Sequence, residues 1–246
     1  ATNWTKIFVA NNSSLTTGQI YAINSSSQLF LWGRGDNGAL GTGDTISRSS
    51  PVQLGGSWNT VQGAFGATAG IRSDFTLYAW GQSTAGTYRY GQATAYSSPV
   101  QIGVSPRLSF TQVAIQGSNM VMLTPDQQLY VVGQDTYKWF TPLGTTYSSP
   151  VQVATLGGKP LANTIHRSSP VQLGSQDWLD VRAGSSYVVA LRGDYTLWAW
   201  GDNGFGQLGQ RDVVYRSSPV QVYASATSLS FISIGSTYST AAAIDT

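Results

Sequence analysis

Short stretches of alternating apolar and polar residues, separated by turns rich in Gly, Ser and Asp, fill this chain and return in the same order about every fifty residues. Alternation with a period of two marks β-strands with at least one covered face. Four strands are predicted per unit. Strand a is a brief apolar run (Val52 to Leu54, Val100 to Ile102, Val171 to Leu173, Val220 to Val222). Strand b is led by Trp4, Trp58, Phe110, Trp178 or Phe231, with Ile7, Val61, Val113, Val181 or Ile234 three residues on. Strand c is small and apolar (Ile20 to Ile23, Ala67 to Ile71, Met120 to Leu123, Val188 to Leu191, Thr240 to Ile244). Strand d ends in Gly four times, at Gly33, Gly81, Gly133 and Gly201. Within strand d, Leu and Ala or Val alternate with aromatics, so both faces need cover. Units stacked face to face supply it. The terminal Gly is expected where a Cβ would block the backbone conformation or a close approach.

The pentapeptide Ser-Ser-Pro-Val-Gln begins at Ser49, Ser97, Ser148, Ser168 and Ser217. A repeat of this length, with turn residues at fixed offsets, predicts an all-β fold, a β-propeller of four-stranded blades. Trp32 to Trp80 spans 48 residues and Trp80 to Val132 spans 52, but Val132 to Trp200 spans 68 and holds two pentapeptides twenty residues apart. Residues 1–246 are therefore expected to form one propeller domain, with an inserted loop at 150–169. The first unit lacks strand a and the last lacks strand d. Such complementary gaps predict about five blades whose ends meet in one ring; the alternative is an open arc completed by a partner chain or by further sequence.

Composition agrees with this reading. Glu is absent, Lys occurs three times and Met twice, so strong helix formers are scarce, while 28 Gly, 8 Trp and 13 Tyr suit pleated sheets and tight turns. The net charge of +2 comes from scattered Arg and Asp without a basic block, which predicts no nucleic-acid partner. Without Cys there is no disulfide, thiolate metal site or cysteine nucleophile. No apolar stretch reaches the length of a membrane span, so no membrane insertion is expected.

The run Trp200-Gly201-Asp202-Asn203-Gly204-Phe205-Gly206-Gln207-Leu208-Gly209, followed by Arg216 and its pentapeptide, resembles the repeat of the regulator of chromosome condensation family. Trp32-Gly33, Gly38-Ala39-Leu40-Gly41, Asp44 and Arg48 match it in the first unit. The resemblance implies a propeller of four-stranded blades. It does not choose an activity, because similar propellers serve as nucleotide-exchange factors, as inhibitors of enzymes, and as bacterial and viral surface modules. The second and third units depart from the pattern at Thr87-Tyr88-Arg89 and Lys138-Trp139-Phe140-Thr141, within the loops that would carry a family activity, and no functional residue is carried over.

Candidate chemistry is sparse. His166 is the sole histidine, lies in the inserted loop and has no carboxylate near it in sequence. Most Asp residues fall in turns, where a carboxylate accepts nearby backbone amides. Asp202 and Asn203 match no calcium-loop spacing, and Arg34-Gly35-Asp36 aligns with an ordinary turn. No catalytic, cofactor or metal residue is assigned. The residue before each pentapeptide is Arg48, Tyr96, Tyr147, Arg167 or Arg216, and equivalent positions in a propeller form a ring. Arg and Tyr suit recognition surfaces, so this ring is the candidate partner-binding site; the plainer reading is that each side chain braces its turn. The expected function is a non-enzymatic binding or structural module with a protein partner, a virion or cell-surface accessory protein by its composition. The alternative is a carbohydrate-binding lectin, which needs exposed Trp and Tyr to stack on sugars.

Overall fold

The computed structural model describes residues 3–10, 18–64, 66–82, 95–102, 108–116, 119–134, 146–152, 177–184, 187–222, 231–236 and 241–245. Among these there is no α-helix. The strands are β1 (Trp4–Ala10), β2 (Gln19–Asn24), β3 (Gln28–Gly33), β4 (Arg48–Ala64), β5 (Ala67–Arg72), β6 (Leu77–Gly81), β7 (Tyr96–Gln101), β8 (Gln112–Gln116), β9 (Asn119–Leu123), β10 (Leu129–Gln134), β11 (Thr146–Gln152), β12 (Trp178–Ala183), β13 (Tyr187–Arg192), β14 (Leu197–Gly201), β15 (Arg216–Gln221), β16 (Phe231–Ser236) and β17 (Ala241–Asp245).

Among the described residues, consecutive strands pair antiparallel into four four-stranded blades and a further pair, β16 and β17, which bears out the propeller of four-stranded blades. One feature of the repeat differs from the sequence reading. The pentapeptide strand closes the sheet of the unit before it, pairing with strand d (Gly33↔Arg48, Gly81↔Tyr96, Gly133↔Tyr147, Gly201↔Arg216). The first unit is thus a complete blade. The long strand β4 serves two sheets, pairing with β3 between Arg48 and Ser57 and with β5 through Trp58 to Ala64. In the third blade the pentapeptide beginning at Ser148 takes the edge position, so Pro150 to Gln152 are paired with or adjacent to β10. The rest of the segment read as an insertion, with His166, Arg167 and the pentapeptide at Ser168, lies outside the described residues.

Blades pack face to face as the alternation required. Between the first two, Leu29, Leu31 and Leu40 meet Trp58, Val61 and Trp80 in one buried cluster. Between the third and fourth, Leu129 and Val131 meet Trp178, Val181 and Trp200. A backbone bond repeats at every interface. The amides of Trp58, Phe110, Trp178 and Phe231 donate to the carbonyls of Ser27, Phe75, Gln127 and Tyr195 in the turn between strands c and d of the preceding blade. Each of those turn residues has φ near +60° (59°, 64°, 63° and 63°), a conformation that costs a non-glycine residue about 1–2 kcal/mol and is held here by its role as acceptor.

The strand-end glycines behave as expected. Gly33, Gly81 and Gly201 have φ of +103°, +84° and +110°, and a Cβ on Gly33 would lie 2.3 Å from the Gly18 carbonyl oxygen. The two ends of the arc do not cover each other. Ile7 and Val9 of β1 are 64% and 61% exposed and Ile244 of β17 is 62% exposed, whereas Val61 and Val181, at the place of Ile7, are fully buried.

Candidate functional site

Arg48 and Arg216, with the loops leading to them, and Tyr96 and Tyr147 lie where strand d ends and the edge strand begins, on one rim of the propeller. Arg48, Tyr96, Tyr147 and Arg216 share one register there, each opposite a strand-end glycine. Arg167 is not among the described residues. The two described arginines are tied into their own loops. Arg48 donates to Asp44 at 2.6 Å and to the Ile46 carbonyl at 3.1 Å; Arg216 donates to Asp212 at 2.6 Å and to the Val214 carbonyl at 2.8 Å. Their carboxylate partners sit below the ordinary Asp range, chiefly because the Ile46 and Val214 amides donate to them, with the guanidinium adding to the effect. Tyr96 is half-buried, and its carbonyl lies against Gly38 of the first blade, where an added Cβ would meet Ser97 Cα at 2.4 Å.

The fourth rim loop, Asp202 to Tyr215, is organised by its own polar side chains. Asn203 is fully buried. Its amide donates to the Asp212 carbonyl and carboxylate at 2.8 and 3.0 Å, and its oxygen accepts the Leu208 amide at 2.9 Å. Asp202 accepts from the Gly204 amide and the Gln207 side chain, Gln207 accepts from the Phe205 amide, and Gln210 donates to the carbonyls of Leu208 and Gln221. This closed network explains the family-like string of Asp, Asn, Gly and Gln residues: they hold the loop. With the oxygens of Asp202 and Asn203 engaged in this way, the pair is a set of turn acceptors. Among the described residues no group of three His, Cys, Asp or Glu gathers to hold a metal.

A loop held this firmly displays several apolar side chains to solvent. Phe205 is 80% exposed, Val213 67%, Val214 55% and Tyr215 60%, and in the first loop Ile46, at the place of Val214, is 60% exposed. Scattered exposed apolar residues need no explanation; four on one preorganised loop beside Arg211 and Arg216 do. Sequence reasoning passed over these positions. The available signal was the run Val213-Val214-Tyr215 where the first unit has Thr45-Ile46-Ser47.

The remaining candidates resolve into structure. Arg34 pairs with Asp36 at 2.6 Å, closing the Arg-Gly-Asp tripeptide on itself. Arg72 lies over the rings of Tyr78 and Trp58, its guanidinium carbon 4.2 and 5.2 Å from their centroids. Burial pushes Asp180 up, with Arg182 at 2.6 Å opposing it. Burial likewise raises the Tyr21 phenol, which stays a neutral hydrogen-bonding group against Thr68 at 2.9 Å. Trp58, Trp80, Trp178 and Trp200 are buried between blades and offer sugars no stacking face, whereas Trp4 of β1 is 41% exposed.

The pattern of the Regulator of chromosome condensation (RCC1) repeat matches residues 26–68 and 196–243. No curated protein sequence matches the chain. Among solved structures, human WBSCR16 is similar over 99% of this chain and 58% of its own, with a TM-score of 0.76 and 17% identity. Prp20p from Saccharomyces cerevisiae, a structure reported with its binding properties to Gsp1p and histones, is similar over 99% of this chain and 56% of its own, with a TM-score of 0.76 and 16% identity. The CRINKLY WD40 ectodomain of the Arabidopsis thaliana receptor kinase ACR4 covers 96% of this chain and 63% of its own at a TM-score of 0.52 and 12% identity. At these identities the likeness is one of fold, and the chain spans less than two thirds of each of these structures.

Proposed function

We propose that this chain, which carries regulator of chromosome condensation repeats on a β-propeller, is a non-enzymatic module that binds a protein partner through the rim bearing Phe205, Val213, Val214 and Tyr215. The observation that carries the reading is the pairing of a hydrogen-bonded loop with the exposed apolar side chains it presents. A preorganised loop loses little entropy on docking, and an aromatic and aliphatic row beside arginine has the composition of an interface centre. In this reading the ring Arg48, Tyr96, Tyr147, Arg167 and Arg216 frames the surface, its described arginines holding the loops in shape. Prp20p, with its binding properties to Gsp1p and histones, is a fold relative with protein partners, which supports a partner of that class. The low charged content, 10%, and the absence of Glu suit work in a crowded assembly such as a virion or a cell surface.

The test compares the intact chain with a Phe205→Ser, Tyr215→Ser double variant as bait, identifying bound proteins by mass spectrometry and measuring the recovered partner by titration. The reading expects a discrete protein partner whose affinity falls at least about tenfold in the variant while its circular dichroism is unchanged. A partner held equally well by the variant, or saturable binding to glycans in its place, overturns it.

A further inference from the structure

The first and fourth rim loops share one backbone plan and differ in what they show to solvent. Gly43, Thr45, Ile46 and Ser47 of the first loop are exposed although the second blade packs against that loop, the Gly43 amide donating to the Ser97 carbonyl at 2.8 Å. Exposure at these places therefore belongs to the loop's own shape. The fourth loop fills them with Arg211, Val213, Val214 and Tyr215, all exposed. Arg211 has φ of +60°, a left-handed conformation that the first loop gives to Gly43, and it forms no ion pair among the described residues. A long side chain held at a strained position without an internal partner points to an external one.

The backbone here is satisfied along one edge only. Arg216 pairs with Gly201 in the sheet, the Val214 amide donates to the Asp212 carboxylate at 3.0 Å, and the Val214 carbonyl accepts from Arg216 at 2.8 Å. Successive residues of an extended chain turn their N–H and C=O groups to opposite edges, so those of Val213 and Tyr215 face outward. Among the described residues nothing pairs with them. Val213 to Tyr215 run into β15 without a turn or bend, and Pro219 closes the same edge farther along.

We propose that Val213 to Tyr215 is a strand-addition site, where an extended segment of a partner protein, apolar at alternate positions and bearing a carboxylate, adds antiparallel to the loop. The inference rests on the rim reading above and names what the rim holds. The outward N–H and C=O groups supply backbone bonds, the side chains of Val213 and Tyr215 meet apolar residues across the strand gap, and Arg211 takes the carboxylate. Antiparallel addition sets the order. Apolar residues lie opposite Tyr215 and then Val213, and the acid follows two places later, opposite Arg211. The first loop has the same edge but carries Gly43, Thr45 and Ser47 there, so it offers neither the apolar pair nor the charge.

The probe is the fluorescently labelled, C-terminally amidated peptide Thr-Val-Thr-Val-Thr-Asp, titrated into the intact chain by anisotropy. Saturable binding is expected. N-methylation of both Val residues, whose amides face the loop, is expected to abolish it, whereas N-methylation of the second and third Thr is expected to leave affinity within about twofold. Grafting the first loop's residues, Arg211→Gly, Val213→Thr and Tyr215→Ser together, keeps a backbone that loop already adopts and is expected to weaken binding about tenfold or more. Arg211→Gly alone is expected to remove the preference for the Asp peptide over one ending in Asn. The proposal is overturned by no saturable binding, by equal affinity for the peptide N-methylated at Val, by undiminished binding to the grafted chain, or by light scattering and hydrogen exchange that show the chain alone self-associated with 213–216 protected. A partner protein captured through Phe205 and Tyr215 in spite of such a result leaves the rim reading standing, so the two fail separately.

Discussion

A buried indole N–H without an acceptor costs about 1–3 kcal/mol, and the sequence around Ala39 is arranged so that Trp80 does not suffer it. Gly41 is the residue that allows this, by its positive φ and by the absence of a Cβ against the ring. Gly41→Ala is expected to lose about 2–4 kcal/mol from steric overlap and backbone strain together, read from urea denaturation. Asn203 is the matching residue in the fourth loop, where three hydrogen bonds to one buried amide group set its fold. Asn203→Ala is expected to cost about 2–3 kcal/mol and to weaken partner binding as well, because the apolar row loses its frame. Acid acts on the same loops. The folded pKa values of Asp44 and Asp212 are depressed from 3.8, so the stability these groups contribute is present above about pH 4 and is lost as the pH falls through their folded values. Asp180 has the opposite sign: burial raises its pKa, and its protonation relieves a cost to the fold. The thermal midpoint is expected to fall between pH 6 and pH 3, by less in Asp212→Asn than in the unaltered chain. An equal fall in both, followed by circular dichroism, would remove Asp212 from that account.

At the scale of the element, the positions of strands b, c and d were legible because alternation and aromatic spacing are local properties. Trp178 begins β12, Phe110 stands two residues before β8, Trp58 opens the part of β4 that pairs with β5, and the Leu and aromatic faces of strand d pack as the alternation required. What the repeat hid was phase. Arg48 to Leu54 follows Gly33 in sequence by a full loop, and nothing in the string of residues says that it folds back on β3 rather than forward on β5. The acceptor turns were hidden for another reason. Ser27, Phe75, Gln127 and Tyr195 do one job with four different side chains, because the job belongs to the carbonyl. The pentapeptide proline acquires a reason from this topology. Pro99 and Pro219 sit in strands at the border of a sheet, where a missing N–H costs the ladder nothing and denies a pairing site to a neighbouring molecule. Pro219→Val is expected to leave the thermal midpoint within a few degrees and to raise the rate of aggregation, followed by light scattering.

For the molecule as a whole, the open arc makes equivalent residues unequal. Ile7 and Val61 occupy the same place in successive blades, yet one is exposed and the other is walled in by the blade before it. Val61→Ala is expected to cost about 2 kcal/mol and Ile7→Ala less than about 0.5 kcal/mol, compared by chemical denaturation. Equal costs would mean that the ring closes over β1 in solution. The rim surface was only half legible. The ring of Arg and Tyr stood out because it recurs, whereas of Phe205, Val213, Val214 and Tyr215 only Val214 has an apolar counterpart in the first loop, Ile46. A repeat displays what its copies share, and recognition uses what they do not.

The offset between sequence unit and sheet also governs how the chain matures on the ribosome. No blade can receive its fourth strand until the opening residues of the following unit have left the exit tunnel, so each blade waits on its successor with a raw border. In β4 the end of that wait is also the start of the next blade, because the residues that finish one sheet run without a break into the strand that begins the next.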